Sequence, residues 1–134
     1  MSSIPAPTPR HQLIDGRWQI PMEELRAEKK AELAEARWQA EVSGVNGIRT
    51  DRESQALITG AALKAMQDSE YTCRWKTETG FVELAAAQIL AIADAVRGHV
   101  QSCFDREAEL LALVDAATTP QELEEIVWSA ELSS

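Results

Sequence analysis

The sequence predicts an α+β fold in which helix dominates, and three observations lead to this prediction. Long Ala-, Glu- and Leu-rich stretches carry helix-capping signals, one stretch alternates apolar and polar residues around a glycine turn, and the beginning is rich in proline. The 134 residues are 45% hydrophobic and 26% charged, which is typical of one globular domain. The predicted parts are an extended Pro-rich arm (1–21), a charged helix (22–43) and a compact α+β domain (44–134).

The arm is predicted to be extended because Pro5, Pro7 and Pro9 lack a backbone donor and fix φ. The Asp15-Gly16 pair indicates a turn, and residues 17–20 are expected to form one short strand. Two interpretations of the arm stay open. In one the arm docks on a partner or on its own domain, and in the other it is a loose terminus.

The charged helix is predicted to begin after Pro21, with Glu23 and Glu24 in the first turn, where the helix dipole favours acids. Its apolar face is weak, and Trp38 is its one large anchor. We therefore expect this helix to project or to lie against a partner.

The middle of the chain contains local signals for a turn and a helix. Asn46-Gly47 predicts a small β-turn with short arms. Thr50 and Glu53 have the spacing of a capping box, which predicts a helix over 51–67. Its expected apolar face consists of Leu57, Ile58, Ala61, Ala62, Ala65 and Met66.

The remainder predicts small hairpins packed on a long helix, followed by a short C-terminal helix. Residues 71–84 alternate as a hairpin, with Tyr71, Cys73 and Trp75 on the face that meets a helix. Apolar residues keep near-helical spacing over 85–116, where Gly98 is interpreted as a site of close approach by another element. In the last helix Thr119 caps, Pro120 occupies the first position and Glu122 completes the box. Leu123, Ile126 and Val127 are expected to face inward.

Signals for catalysis or cofactors are scarce. The chain has no G-x-S-x-G elbow, phosphate loop or dinucleotide fingerprint, so we expect no enzyme and no cofactor. Three side chains are candidate zinc ligands: His99, Cys103 and Cys73. Neither cysteine has a close cysteine neighbour in the sequence, although zinc ligands usually occur in such close pairs. Two buried thiols and a histidine on a helix face are the preferred interpretation, and we expect no metal.

The charge excludes one class of partner and leaves another open. A net charge of −9 without a basic stripe predicts no nucleic-acid binding. No secretory signal and no apolar run of roughly 20 residues is present, so we expect no membrane association and a reducing cytoplasm. From Asp105 onward eight acids accompany one base, which makes this end either a solubilising face or a surface for a basic partner.

Several apolar residues lie where interface anchors are expected. Trp18, Trp38 and Trp128 lie in the arm, on the weakly amphipathic helix and near the C-terminus. Such tryptophans either bind a partner or pack on one another, and both interpretations stay open. With Ile4 and Ile20 of the arm they form the predicted partner-binding set.

The stretch from about Arg37 to Leu111 resembles a domain of unknown function found in tailed-phage tail and tail-fibre assembly proteins. The resemblance depends on four motifs in order. They are Val45-Asn46-Gly47, Thr50-Asp51-Arg52-Glu53-Ser54, Trp75-Lys76-Thr77, and Gly80-Phe81-Val82 with Leu84. Ala93, Val96, His99 and Cys103-Phe104-Asp105 look similar too, and Asp15-Gly16-Arg17-Trp18 looks like the end of a β-module that precedes the domain in longer relatives.

The resemblance implies a phage tail or tail-fibre assembly chaperone that acts by binding a phage tail or tail-fibre protein in the host cytoplasm. A structural tail component retained in the virion is one alternative, and self-association into a homo-oligomer is left open. Another alternative is a phage-encoded acidic inhibitor of a host or defence protein. Its binding surface would be the acidic run from Asp105 to Glu131, and neutralising Glu122, Glu124 and Glu125 should abolish its binding.

Overall fold

The computed structural model describes residues 6–77 and 79–128. The elements are β1 (Gln12–Ile14), β2 (Arg17–Gln19), α1 (Met22–Glu41), α2 (Arg52–Gln67), β3 (Thr72–Thr77), β4 (Gly80–Ala85), α3 (Ala86–Ala116) and α4 (Pro120–Glu124). The predicted helix-dominated α+β class, with small hairpins, one long helix and a short last helix, is confirmed. No helix among the described residues combines the length and the hydropathy of a membrane span.

The chain forms two compact units. The first unit is Met1–Glu35 with Glu107–Ser134, and the second unit is Ala36–Arg106. Helices α1 and α3 each contribute residues to both units. This division into two units does not follow the predicted bounds of the arm (1–21), the charged helix (22–43) and the compact domain (44–134). It does not test those bounds, so they remain a prediction.

The first unit contains a hairpin where the sequence predicted a single strand. Strands β1 and β2 pair antiparallel, with Leu13 opposite Trp18. The turn has positive φ at both Asp15 (51°) and Gly16 (79°). This conformation suits a two-residue hairpin turn because its twist matches that of the flanking strands.

The core of the first unit is built mainly on α3. Leu33 of α1 is fully buried there, and Met22, Leu25 and Trp128 pack against the same cluster. The expectation that α1 projects is therefore wrong, because Met22, Leu25 and Leu33 follow one narrow stripe of the helix that suffices to bury it. The other buried members are Leu110, Val114, Ala117, Leu123 and Ile126.

Cations of α1 bind backbone carbonyls at the ends of other elements in the first unit. Arg26 Nη2 donates to the Ala117 carbonyl at 2.9 Å, and Lys29 Nζ donates to the Ile126 carbonyl at 3.1 Å. Such carbonyls lack a helical partner, so a cation is the donor that they favour. Two cations of α1 thus contact their own unit, whereas Glu23, Glu28 and Glu32 of the same helix are exposed.

The predicted cap of α4 is confirmed. Thr119 is the N-cap and accepts from the Glu122 N–H, and Pro120 is the first helical residue. The Glu122 carboxylate accepts from the Thr118 N–H at 2.7 Å, and this bond lowers the pKa of Glu122. Leu123 and Ile126 face inward as predicted, but Val127 does not, since it is exposed.

The second unit packs α2 and the β3–β4 hairpin around small residues. Strand β3 pairs antiparallel with β4, with Trp75 opposite Val82. Ala65, Ala86 and Ile89 are buried there, and partly buried side chains pack on them: Ala61, Ala62, Tyr71, Cys73 and Leu84. The prediction that Tyr71 and Cys73 meet a helix is confirmed.

The start of α2 differs from the predicted capping box. Asp51 is the N-cap and accepts from the Ser54 N–H at 3.3 Å. Thr50 is fully buried, donates to the Glu41 carbonyl at 2.7 Å and accepts from the Gly44 N–H at 2.8 Å. The threonine hydroxyl therefore closes the loop after α1 instead of capping α2, so the prediction of a Thr50 cap is wrong.

The turn between α1 and α2 follows its local signal. Val45 and Ile48 form an isolated antiparallel bridge, and Asn46 and Gly47 have φ values of 52° and 80°. The predicted Asn-Gly turn is confirmed.

Gly98 lies in α3 without a close neighbour, so the interpretation of a close approach at this residue is wrong. A Cβ there would meet nothing within 4 Å. We expect Gly98→Ala to raise the free energy of unfolding by about 1 kcal/mol, because alanine loses less backbone entropy in a helix. Gly47→Ala should instead destabilise, because Gly47 has a φ of +80°. Urea denaturation of both variants checks the prediction, and a destabilised Gly98→Ala variant contradicts it.

Candidate functional site

A buried carboxylate links the end of α1 to the start of α2. The Glu41 side chain is 1% exposed. It accepts from Arg37 Nη1 at 2.7 Å, from Arg52 Nε and Nη2 at 2.5 and 3.0 Å, and from Gln55 Nε2 at 3.0 Å. Arg52 and Gln55 lie in the first turn of α2, so this bidentate network sets the position of that turn relative to α1.

Glu41 remains ionised in this environment. Burial alone raises the pKa of Glu41, but hydrogen bonds from Arg52, Gln55 and Arg37 outweigh burial and hold the pKa below its ordinary value of 4.5. A buried anion of this kind is stable only while its donors stay in place.

The lowered pKa of Glu41 predicts how stability depends on pH. The network adds stability above the pKa of the unfolded carboxyl, ordinarily 4.5, and loses it as pH falls through the lower folded pKa. We expect the difference in free energy of unfolding between wild type and Glu41→Gln to be constant near neutral pH and to shrink below about pH 4.5. Denaturation across that range measures it. Glu70→Gln, at an exposed loop residue, serves as control. A difference that grows on acidification contradicts the assignment.

Aromatic rings cover the two arginines of the network. The Arg52 guanidinium lies 5.3 Å from the ring centroid of Trp38, and Arg37 lies 4.5 Å from that of Phe104. Both geometries suit cation–π attraction. Trp38, one of the predicted partner-binding residues, is 39% exposed and is engaged with Arg52 in its own unit.

His99 and Cys103, two of the residues considered for a metal site, have contacts of their own in the second unit. His99 Nε2 donates to the Ala40 carbonyl at 2.9 Å. Burial, with a further contribution from Glu41, raises the pKa of the Cys103 thiol, so it stays protonated and unreactive. Among residues 6–77 and 79–128 no group of three or more His, Cys, Asp or Glu side chains has a metal-binding arrangement.

A groove of about 460 Å³ lies between the start of α2 and the hairpin. Leu57 and Glu53 line its α2 side, and Trp75 and Phe81 line its hairpin side. It continues along α2 past Gly60, beside Tyr71 and Cys73. We call this surface the α2–hairpin groove; its remaining lining residues are Arg49, Asp51, Ser54, Ala56, Ala61, Arg74 and Lys76.

Large apolar side chains of the α2–hairpin groove are exposed. Leu57 is 58% exposed and Phe81 is 67% exposed. The sequence placed Leu57 and Met66 on the inner face of α2, and both are exposed, so that part of the prediction is wrong. The reason is geometric: Ile58 and Ala65 point inward, and Leu57 is about 100° away from Ile58 around the helix. Exposed apolar walls of a concave surface are typical of binding sites.

Charge is distributed unevenly between the two units. The second unit carries eight Lys and Arg against nine Asp and Glu, whereas the rest of the chain carries five against thirteen. Arg74 and Lys76 are two residues apart on β3, so their side chains share one face of the hairpin. The groove therefore has a locally basic wall in an acidic protein.

The members of the predicted partner-binding set that the structure describes do not line the α2–hairpin groove. Ile4 lies outside the described residues. Trp18, Ile20 and Trp128 belong to the first unit, where all three are partly buried. Trp38 belongs to the second unit but is not a lining residue. Whether any of the five binds a partner stays a prediction.

The residues that do line the groove were only partly visible in the sequence. Leu57, Arg74 and Phe81 were assigned to elements but to no site. Phe81 lies opposite Lys76 in the β-register, so an aromatic and a cation share one exposed face. The available signal was the alternation of polar residues with Trp75 before the glycine turn, followed by Phe81 directly after it.

The comparisons with known proteins give one match. A family model described as a domain of unknown function (DUF4376) matches residues 24–127. Neither the curated proteins nor the solved structures include a match to the chain. The matched range includes every lining residue of the α2–hairpin groove.

Proposed function

The chain belongs to the family described as a domain of unknown function (DUF4376), and on that premise we propose that it is a tail or tail-fibre assembly chaperone of a tailed bacteriophage. In this proposal the protein acts by binding a tail or tail-fibre protein in the host cytoplasm and catalyses no reaction. The α2–hairpin groove is the surface that we assign to this binding.

The observation that carries the proposal is the exposure of Leu57 and Phe81 on facing walls of the groove. Exposed apolar side chains gathered in a concavity lose water when a partner covers them, and this favours binding. The same surface also supports the phage context, because motifs behind the resemblance to tail assembly proteins lie on it. These residues are Asp51, Glu53, Ser54, Trp75, Lys76 and Phe81.

The test is a pull-down with the tagged full chain from phage-infected cells, with purified virions analysed alongside. We expect a tail or tail-fibre protein to co-purify and virions to lack the chain. Leu57→Ser combined with Phe81→Ser should abolish the capture. Leu63→Ser is the matched control, because Leu63 is an equally exposed leucine of α2 that does not line the groove.

Two other outcomes overturn the chaperone assignment. Presence of the chain in purified virions indicates a structural tail component. Capture of a host protein alone indicates the inhibitor, whose support is the acidic first unit with exposed Glu124 and Glu125. Substituting Gln for Glu122, Glu124 and Glu125 should then abolish that capture.

A further inference from the structure

We propose that the α2–hairpin groove binds an extended segment of the partner protein in which aspartate or glutamate flanks one large apolar side chain. The segment pairs its backbone with the outer edge of β3. This inference rests on the proposed function, and it adds the chemistry and the conformation of the bound segment.

The conformation follows from which β3 residues line the groove. Arg74, Trp75 and Lys76 are consecutive and all three line it. Successive side chains of a strand point to opposite faces, so a groove lined by three in a row passes the edge of the strand, and Phe81 of β4 lines it from the face that Phe81 shares with Lys76. Strand β3 belongs to a two-stranded sheet, so β4 pairs with only one of its edges. Backbone donors and acceptors of the other edge can bind an added strand.

The apolar requirement follows from the walls of the groove. Leu57 and Phe81 line the groove, and more than half of the surface of each side chain is exposed. The indole of Trp75 lines the same groove. A volume of about 460 Å³ accommodates a large aliphatic or aromatic side chain. Burying one such side chain in a desolvated pocket is the usual source of affinity in peptide recognition.

The acidic requirement follows from Arg74 and Lys76, the two cations of β3. Among residues 6–77 and 79–128, neither Arg74 nor Lys76 forms an ion pair with a carboxylate, although Glu83 lies opposite Arg74 in register. Arg49, by contrast, lies 3.8 Å from Asp51, and their charges offset each other. Two cations on one rim that pair with no carboxylate of the described residues favour carboxylates in the bound segment and disfavour a basic segment.

A nucleic acid fits the groove less well than an acidic peptide segment. Asp51 and Glu53 line the same groove as the cations, and a continuous phosphate backbone would meet both carboxylates. A peptide segment carries carboxylates at only some of its residues. Its acidic residues can therefore contact Arg74 and Lys76 while neutral residues lie beside Asp51 and Glu53.

The experiment is a selection of random dodecapeptides, displayed on filamentous phage, against the full chain. We expect the retained sequences to be enriched in Asp and Glu beside Leu, Phe or Trp. An enriched peptide is then synthesised with a fluorescent label, and its affinity is measured by anisotropy. Leu57→Ser and the double variant Arg74→Glu with Lys76→Glu should each weaken binding at least about tenfold.

Matched controls separate the groove from the general surface. Leu63→Ser and Arg97→Glu alter an exposed leucine and an exposed arginine outside the groove, and both should leave the affinity within about twofold of wild type. Methylating alternate backbone amides of the peptide should weaken binding about tenfold, because it removes donors to β3. An unchanged thermal unfolding midpoint shows that each variant is folded.

Several results overturn the proposal. They are enrichment of basic peptides, no enrichment at all, equal binding by the groove variants, no effect of amide methylation, or tighter binding of oligo(dT) than of the peptide. Its failure is distinguishable from that of the proposed function. If the Arg74→Glu, Lys76→Glu variant still captures a tail protein, the chaperone role stands and the acidic-segment chemistry is wrong. If the peptide binds but no tail protein is captured, the acidic-segment chemistry stands and the chaperone role is wrong.

Discussion

Replacing Glu41 with alanine is expected to lower the free energy of unfolding by about 3 kcal/mol. The substitution removes the carboxylate to which Arg37, Arg52 and Gln55 donate, and the Arg37 side chain is only 16% exposed. Breaking a buried ion pair from one side is costly because the remaining charge stays desolvated. The value lies at the lower end of the usual range because Arg52 is 56% exposed and regains water. Urea denaturation at neutral pH measures it.

Glu70→Ala is the control for the Glu41 substitution. Glu70 is an exposed acid in the loop before β3, so its loss should change the free energy of unfolding by no more than about 0.5 kcal/mol. Equal effects of the two substitutions would show that the Glu41 network adds nothing to the fold. Retained stability of Glu41→Ala would also remove the argument that this network sets the position of the first turn of α2 relative to α1.

Leu33→Ala is expected to destabilise the chain by about 3 kcal/mol. Leu33 is 0% exposed at the centre of the first-unit core and packs with side chains of α3 and of the segment around α4. Removing its three carbon atoms loses the free energy of burying them and leaves a cavity that the surrounding helices fill only partly. Calorimetry or urea denaturation provides the measurement.

Leu113→Ala provides the matched comparison for the Leu33 substitution. Leu113 lies on α3 and is 53% exposed, so its truncation should cost no more than about 0.5 kcal/mol. A small effect of Leu33→Ala would mean that α1 projects from its unit, as its weak apolar face suggested. A large effect confirms that a narrow stripe is enough to bury the helix.

Some elements followed from local sequence signals because those signals act over a few residues. The Asn46-Gly47 turn needs only two residues with positive φ. The cap at Thr119 needs a hydroxyl, a proline and a carboxylate within four positions. The long helix α3 keeps its apolar spacing over 31 residues, so the sequence was sufficient to predict it.

The candidate site depended on residues far apart in the sequence. Glu41 is one of many acids, and composition gives no sign that it is buried; its donors Arg52 and Gln55 are 11 and 14 positions away. Leu57 has the polarity of a core residue but lies beside the inward stripe of α2. Only the packing of α2 and the hairpin decides that it lines a groove.

The sequence by itself therefore determined the fold class, the turn, the hairpin and the long helix of this protein, through periodicity and capping. The tertiary structure alone decided which charge is buried, which apolar side chains stay exposed and which strand edge faces a groove. The physical reason is that local geometry is set by neighbouring residues, whereas burial is set by what another element covers.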